Sequence, residues 1–136
     1  MIEVKNLTKR YGTNTALNNV SFTVEEGTIV GFLGPNGAGK STTMNIITGC
    51  LSATSGSVKI DGHDILEEPK EAKKQIGYLP EQPPLYPEMT VQEYLDFAAE
   101  LKGIKKKADR KEQVRKAARR TGLEDVLPRL IRSLSK

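Results

Sequence analysis

The 136-residue sequence lacks the features that mark a secreted or membrane-spanning protein. Its single cysteine, Cys50, cannot form an internal disulfide, so no disulfide framework holds the fold together. No run approaches the ~20 consecutive apolar residues of a membrane-spanning helix. The first twelve residues, MIEVKNLTKRYG, alternate charged and apolar side chains instead of forming the apolar core of a signal peptide. These absences favour a soluble protein of the cytoplasm.

The composition is that of an ordinary folded chain, with 37% hydrophobic and 28% charged residues. The net charge of +4 is unevenly distributed, because residues 102–136 contain 13 basic and 4 acidic side chains whereas residues 1–101 contain 8 and 13. A basic segment of this kind indicates either a nucleic-acid or headgroup surface or a solvated helix face. No aromatic residues lie between its basic residues to stack on bases. We therefore favour the solvated face over nucleic-acid binding.

The apolar pattern predicts an α/β arrangement, rich in strands at first and helical in the last third. Alternating residues indicate half-buried strands, and the apolar run 28–33 indicates a strand buried on both faces. Thr90 and Glu93 have the spacing of a capping box, which predicts a helix N-terminus. The strands are predicted near residues 2–4, 20–24, 28–33, 58–60 and 76–79. The helices are predicted at 40–51, from Pro69, from Thr90 and at 109–122.

A glycine-rich loop lies between the apolar strand 28–33 and the next helix and matches the pattern G-x-x-x-x-G-K-[ST] at every fixed position. Small residues let backbone N–H groups turn inward to bind phosphate, and the helix N-terminus adds a positive dipole. Lys40 is expected to reach the terminal phosphates, and the Ser41 hydroxyl to bind Mg²⁺. The loop predicts binding of a nucleoside triphosphate with Mg²⁺. Its predicted binding residues are Gly34, Pro35, Asn36, Gly37, Ala38, Gly39, Lys40, Ser41 and Thr42.

The loop and its surroundings resemble the ATP-binding subunits of ABC transporters. The similar segments are GFLGPNGAGKSTTMNIITG at 31–49, LTKRYG at 7–12, SGSVKIDG at 55–62, IGYLPE at 76–81 and LYPEMTV at 85–91. The resemblance implies a P-loop NTPase fold, with an antiparallel β subdomain, part of a parallel core sheet and the start of a helical subdomain. It places a partial ATP-binding core at 1–88 and the helical subdomain at 89–136.

The resemblance also assigns roles outside the phosphate loop. Tyr11 resembles the aromatic residue that stacks on adenine, although a tyrosine before a glycine is often only a turn residue. In the family a glutamine after the strand at 76–79 contacts Mg²⁺ and the attacking water. Here Glu81 occupies that position and Gln82 follows it. Since a carboxylate can also bind Mg²⁺, either residue is a candidate metal ligand.

Two parts of the family's hydrolytic machinery are missing from the sequence. No apolar strand ending in Asp-Glu, the Walker B element with its general base, follows the phosphate loop, and the only histidine, His63, lies in a turn before residue 81. The final residues Leu134-Ser135-Lys136 match the start of the family's Leu-Ser-Gly-Gly-Gln signature. The resemblance thus implies an N-terminal part of the subunit that has no catalytic residue of its own and binds nucleotide without hydrolysing it.

In the family, the strands on either side of the apolar strand come from sequence beyond residue 136. Without them the run 29–33 is expected to expose unpaired edges and to favour aggregation or oligomerisation.

The resemblance implies partners as well as a fold. Full-length relatives pair with a second ATPase subunit and with membrane permease subunits, on the inner face of the membrane, and couple ATP binding and hydrolysis to transport. The wording is most similar to exporters of the drug-resistance and gliding-motility kind. A GTPase is disfavoured because no Asn-Lys-x-Asp motif is present. A phosphate-loop kinase, a non-enzymatic interaction module and a soluble ABC protein acting on DNA or ribosomes remain alternatives.

Overall fold

The computed structural model describes residues 1–134 of the chain. Ser135 and Lys136, the end of the predicted signature start, lie outside the described residues. The chain divides into two compact units, Met1–Tyr78 and a second that begins at Leu79. This boundary lies before the predicted division after residue 88. The predicted division separates the ATP-binding core from the helical subdomain, and it stays a prediction.

The first unit is built on a four-stranded sheet in which every neighbouring pair is antiparallel. The strands are β1 (Ile2–Tyr11), β2 (Asn14–Val24), β3 (Ser55–Ile60) and β4 (His63–Asp64), in the order β2-β1-β3-β4. Val4 of β1 pairs with Phe22 on one side and with Val58 on the other, so β1 is the central strand of this register. The predicted antiparallel β subdomain is confirmed, and its two first strands extend further than the alternation indicated.

Two helices cover the sheet, α1 (Lys40–Ile47) and α2 (Pro69–Lys74). Pro69 occupies the first turn of α2, as predicted from its fixed φ. Helix α1 ends at Ile47, earlier than the predicted Leu51, because Gly49 has a positive φ of 69° and leaves the helical path. The buried face of α1 is formed by Thr43, Ile46 and Ile47. The hydrophobic core comprises Val4, Leu7, Leu17, Ile46, Ile47, Val58, Ile60, Ile65 and Ala72.

Two predicted strands, 28–33 and 76–79, are not formed. Both runs have no strand beside them among the described residues, and a strand exists only where a neighbour accepts its backbone hydrogen bonds. The apolar side chains of the first run are therefore exposed, with Ile29 at 103% and Leu33 at 92% of full exposure. Within the described residues the parallel part of the predicted core sheet is absent. The exposed apolar surface agrees with the expectation of an unpaired core strand, and aggregation stays a prediction.

Side chains of both runs contact the sheet, α1 or the core, and Ile76 packs against the hydrophobic core. The ring of Phe32 lies 5.6 Å from that of Phe22 on β2, at an angle of 41°. The Tyr78 hydroxyl donates to Asn45 Oδ1 of α1 at 3.4 Å. Both runs therefore contact the sheet, α1 or the core without forming strands of the sheet.

The second unit is helical, with α3 (Val91–Leu101), α4 (Lys107–Thr121) and two 3-10 turns at Glu124–Val126 and Ile131–Ser133. The predicted capping box is confirmed: the Glu93 amide donates to Thr90 Oγ1 at 3.2 Å, and Glu93 Oε2 accepts from the Thr90 amide at 2.8 Å. Helix α4 begins two residues before the predicted Asp109 and ends, as predicted, at Gly122, which has a left-handed φ of 67°.

The segment before α3 is packed onto that helix, which explains why the compact boundary precedes it. The Tyr94 hydroxyl of α3 donates to the carbonyl of Pro84 at 3.2 Å. The Tyr86 ring lies 6.2 Å from the Tyr94 ring and 5.8 Å from the Phe97 ring, the latter edge-on at 79°. Aromatic pairs at these separations stabilise contacts beyond the area they bury. The proline-rich segment therefore belongs to the helical unit.

Half of the basic residues at 102–134 lie exposed on α4, which agrees with the predicted solvated helix face. Arg110 is the exception, since its side chain is 12% exposed and its Nε donates to Asp96 Oδ1 at 3.0 Å. Arg110 also donates to the carbonyls of Ile104 and Lys105, so it fixes the loop between α3 and α4. Among residues 1–134 no helix is both long enough and apolar enough to cross a bilayer.

The capping box predicts a pH dependence for α3. Hydrogen bonds from the Thr90 backbone amide, and secondarily from its hydroxyl, hold the pKa of the Glu93 carboxyl below its ordinary value. A carboxyl with a depressed folded-state pKa contributes stability above its unfolded pKa and loses that contribution as pH falls through its folded pKa. We expect helical circular dichroism in a urea titration to show this loss below about pH 4.

Two variants separate the cap from other acid effects. Thr90→Ala removes the hydroxyl and is expected to destabilise α3 by about 1 kcal/mol at neutral pH. Glu93→Gln cannot titrate, so its stability should be less dependent on pH than that of the wild type in the acid range. An identical pH profile for Glu93→Gln and wild type would show that the box does not contribute to acid sensitivity.

Candidate nucleotide-binding site

The glycine-rich loop connects the exposed run 28–33 to α1. Six of the nine predicted binding residues, 34–39, lie in the loop, and Lys40, Ser41 and Thr42 are the first residues of α1. Asn36 and Gly37 form a turn, in which the Ala38 amide donates to the Pro35 carbonyl at 3.2 Å. Gly37 and Gly39 have positive φ values of 85° and 88°, a conformation that side-chain-bearing residues rarely adopt. The glycines therefore give the loop its curvature.

Gly39 also makes the closest approach between the loop and the sheet. A Cβ atom at this position would lie 2.5 Å from Leu17 Cδ2 and 2.7 Å from the Ala16 carbonyl oxygen, both on β2. Such distances are too short for non-bonded atoms, so only a glycine allows the loop to rest on β2. This contact fixes the start of α1 against the β1–β2 hairpin.

The N-terminus of α1 faces the loop without a capping side chain. Its N-cap residue is Gly39, no side-chain hydrogen bond caps it, and its first turn contains no acidic residue. The first N–H groups of a helix have no partner within it and carry its positive dipole end. Ser41, in the first turn, is exposed, and the Thr43 hydroxyl further along donates back to the Gly39 carbonyl at 2.9 Å. This end of α1 is suited to an anion.

Lys40 adds a formal positive charge inside the loop. Its Nζ donates to the carbonyls of Gly34 and Pro35 at 2.6 and 2.8 Å, so the side chain folds back across the loop. An ammonium group has three donors, and the carbonyls engage two of them. The loop thus brings a lysine ammonium together with an uncapped helix N-terminus, and this is the chemistry that binds polyphosphate.

Tyr11 lies at the end of β1 and is 49% exposed. Its position relative to the loop follows from the register, because Lys9 pairs with Leu17, the residue that Gly39 contacts. Tyr11 is two residues further along the strand, about 7 Å away. The Lys9 ammonium lies 5.1 Å from the centre of the Tyr11 ring. Sequence reasoning missed both Lys9 and Leu17, although the i, i+2 spacing of Lys9 and Tyr11 places them on one strand face.

The candidate metal ligands are divided between the units. Ser41 belongs to the first unit, whereas Glu81 and Gln82 are exposed residues of the second. His63 lies in β4 with its Nδ1 3.2 Å from Glu68 Oε1. Throughout residues 1–134 no three His, Cys, Asp or Glu residues cluster in a way that would bind a metal ion. Of the candidate ligands, Ser41 lies in the first unit, and its hydroxyl is an oxygen ligand of the kind that Mg²⁺ accepts.

One cavity of the first unit, with a volume of about 280 Å³, lies at the C-terminal end of α1, away from the phosphate loop. Leu7, Ile46 and Val58, which belong to the hydrophobic core, form part of its wall.

Fold and site together define a phosphate-loop nucleotide-binding protein, and comparison with known proteins gives its family. The family model for ABC transporters matches residues 17–136. The chain is 43% identical over 106 residues to the ABC-type transporter ATP-binding protein EcsA of Bacillus subtilis, covering 78% of this chain and 43% of that protein. It is 39% identical over 104 residues to the linearmycin resistance ATP-binding protein LnrL of the same organism, covering 76% and 33%.

A solved ATP-binding cassette, in a dimeric post-hydrolysis state bound to ADP and Pi, superposes with a TM-score of 0.82 at 30% identity, over 99% of this chain and 63% of that one. The chain belongs to the ABC transporter family and matches part of an ATP-binding cassette, since it covers 63% of the solved one. It spans less than half the length of the curated relatives EcsA and LnrL. The predicted family and P-loop NTPase fold class are confirmed.

The contact between Gly39 and β2 predicts different costs for two glycine substitutions. Gly39→Ala adds a steric clash to an unfavourable φ and is expected to destabilise the first unit by about 2 kcal/mol or more. Gly37→Ala has a similar φ but no atom within 4 Å of the added Cβ, so about 1 kcal/mol is expected. Urea denaturation of both variants measures the difference. Equal losses would mean that the loop does not rest on β2.

Proposed function

We propose that this chain is the ATP·Mg²⁺-binding part of an ABC transporter ATPase subunit of the exporter type. The observation that carries the proposal is the loop at residues 34–42, where the Lys40 ammonium folds back over the loop that precedes the uncapped N-terminus of α1. The ABC family binds ATP, and the family match and the phosphate-loop geometry agree on the ligand class. The names of the relatives, which include an antibiotic-resistance ATP-binding protein, support the exporter type.

The phosphates bind to the loop residues that the motif predicted. Backbone amides around Gly37 and Gly39 and the first turn of α1 donate to phosphate oxygens, and Lys40 exchanges its bonds to the Gly34 and Pro35 carbonyls for bonds to the terminal phosphates. This exchange keeps the ammonium hydrogen-bonded in both states. The Lys40 ammonium therefore binds the two loop carbonyls before the nucleotide binds, and it binds the phosphates afterwards.

The remaining roles complete the nucleotide site. The Ser41 hydroxyl binds Mg²⁺, and Tyr11 stacks on the adenine at the hairpin end of β1. Glu81 or Gln82 is the other candidate metal ligand, as the resemblance implies. Mg²⁺ neutralises phosphate charge, and no residue of this chain is assigned as the general base. Turnover by the chain alone is thus expected to stay at background.

The complete subunit pairs with a second ATPase subunit and with membrane permease subunits, through which it lies on the inner face of the membrane. The dimeric state of the solved cassette supports the first of these partners. We infer that nucleotide binding between two subunits moves the permease. Nucleic acid is not a proposed partner, since the basic side chains of α4 lie on a solvated helix face without aromatic residues. A phosphate-loop module outside transport is the alternative function.

Lys40→Ala tests the proposal by calorimetric titration with ATP·Mg²⁺. The variant loses the one side-chain cation in the loop and is expected to bind ATP at least tenfold more weakly, since a charge-assisted hydrogen bond contributes about 1.5–3 kcal/mol. Lys59→Ala is the matched control, because Lys59 is an exposed lysine of β3 outside the loop, and it should bind like wild type. Equal affinities of Lys40→Ala and wild type would refute the proposed site.

A further inference from the structure

We propose that Lys9 is a specificity-determining residue of the nucleotide site, whose ammonium covers one face of the Tyr11 ring and leaves the opposite face for a purine base. The inference deepens the proposed function and rests on it. Lys9 is not part of the sequence motif. Its role follows from two contacts in the first unit, with Tyr11 and with Ser52. The strand register supplies the third argument, because it relates Lys9 to the phosphate loop.

The first contact sets the geometry of the ring. Lys9 and Tyr11 are two positions apart on β1, with Arg10 between them, so their side chains leave the same face of the strand. The Lys9 Nζ lies 5.1 Å from the ring centre, within the distance at which a cation is attracted to the negative face of an aromatic ring. Since Tyr11 is 49% exposed, the ring is not enclosed by the protein. One face is thus occupied by a cation and the ring remains open to solvent.

The second contact immobilises the ammonium. Lys9 Nζ donates to the carbonyl of Ser52 at 2.7 Å, in the segment that follows α1. The residue is only partly exposed, in contrast with Lys5 on the same strand. A lysine fixed at both its backbone and its ammonium holds the ring beside it in one orientation. Less conformational entropy is then lost when a base stacks on that ring.

The third relation places the pair at the phosphate loop. Lys9 pairs across the hairpin with Leu17, and Leu17 is the side chain against which Gly39 packs. The same sheet register therefore fixes both the loop that binds phosphates and the ring that would bind the base. Lys9 links the phosphate loop to the ring, because its backbone pairs with Leu17 beside the loop and its ammonium lies over the Tyr11 ring.

The electrostatics favour a purine on the open face. A cation on one face of an aromatic ring draws π-electron density toward itself, which makes the opposite face less negative. An electron-rich base then stacks with less repulsion between the two π-systems. This polarisation of the ring does not change phosphate binding, because Lys40 and the α1 N-terminus bind the phosphates. Lys9 accordingly contributes to the affinity for the base and not to the affinity for the polyphosphate.

The test compares ATP·Mg²⁺ with inorganic tripolyphosphate·Mg²⁺, titrated calorimetrically into the same chain. Lys9→Met keeps the aliphatic stem and removes the charge. We expect it to bind ATP about two- to fivefold more weakly, the value of an exposed cation–π contact. Its affinity for tripolyphosphate should equal that of wild type. Lys5→Met is the matched control, because Lys5 is a β1 lysine paired with Glu3 at 3.2 Å, and both of its affinities should be unchanged.

Two further variants separate the charge from the hydrogen bond to Ser52. Lys9→Gln retains a donor without the charge and is expected to be as weak as Lys9→Met, whereas Lys9→Arg retains the charge and should bind ATP like wild type. Circular dichroism and urea denaturation verify that each variant is folded.

Three outcomes would overturn the inference. They are unchanged ATP affinity in Lys9→Met, full recovery in Lys9→Gln, or an equal loss of ATP and tripolyphosphate affinity. Failure of the wild type to bind either ligand would instead refute the proposed function, and the role of Lys9 with it.

Discussion

The close approach of Gly39 to β2 is the contact on which the site depends. It lets a glycine-rich loop rest directly on Leu17 and the Ala16 carbonyl, at distances that no side-chain-bearing residue could tolerate. The loop is therefore positioned by the sheet and not only by its own turn. The register of the hairpin then transmits this position to Lys9 and Tyr11. One backbone contact thus sets where the phosphates, and through β1 where the base, would lie.

The attraction for phosphate in the first unit is local. Residues 1–78 contain 8 basic and 8 acidic side chains, so they provide no general positive field. The positive potential comes from Lys40 and from the dipole and uncapped N–H groups at the start of α1. The excess of basic residues lies in the second unit, on α4 and in the segments on either side of it, where nearly all of these side chains are exposed and solvated. Net charge is therefore a poor guide to the binding site of this chain.

The features that the sequence predicted well are those determined by local chemistry. The capping box of Thr90 and Glu93, the first-turn proline of α2 and the glycine-rich loop each depend on residues a few positions apart. The runs 28–33 and 76–79 are predicted as strands but do not form strands. A strand requires a neighbouring strand to pair with, and an apolar pattern cannot reveal whether one is present. The role of Lys9 depends on the Ser52 carbonyl, 43 residues away, which no motif encodes.

Amide hydrogen exchange reports directly on whether the backbone amides of the loop bind the phosphates. Exchange would be measured by NMR on the full chain, with and without ATP·Mg²⁺. If the loop on Gly39 and the N-terminus of α1 bind the phosphates, the amides of residues 37–42 become protected when ATP is added, while those of β3 and α4 do not change. Unchanged exchange at residues 37–42 in a chain that demonstrably binds ATP would contradict the account, because the nucleotide would then bind elsewhere.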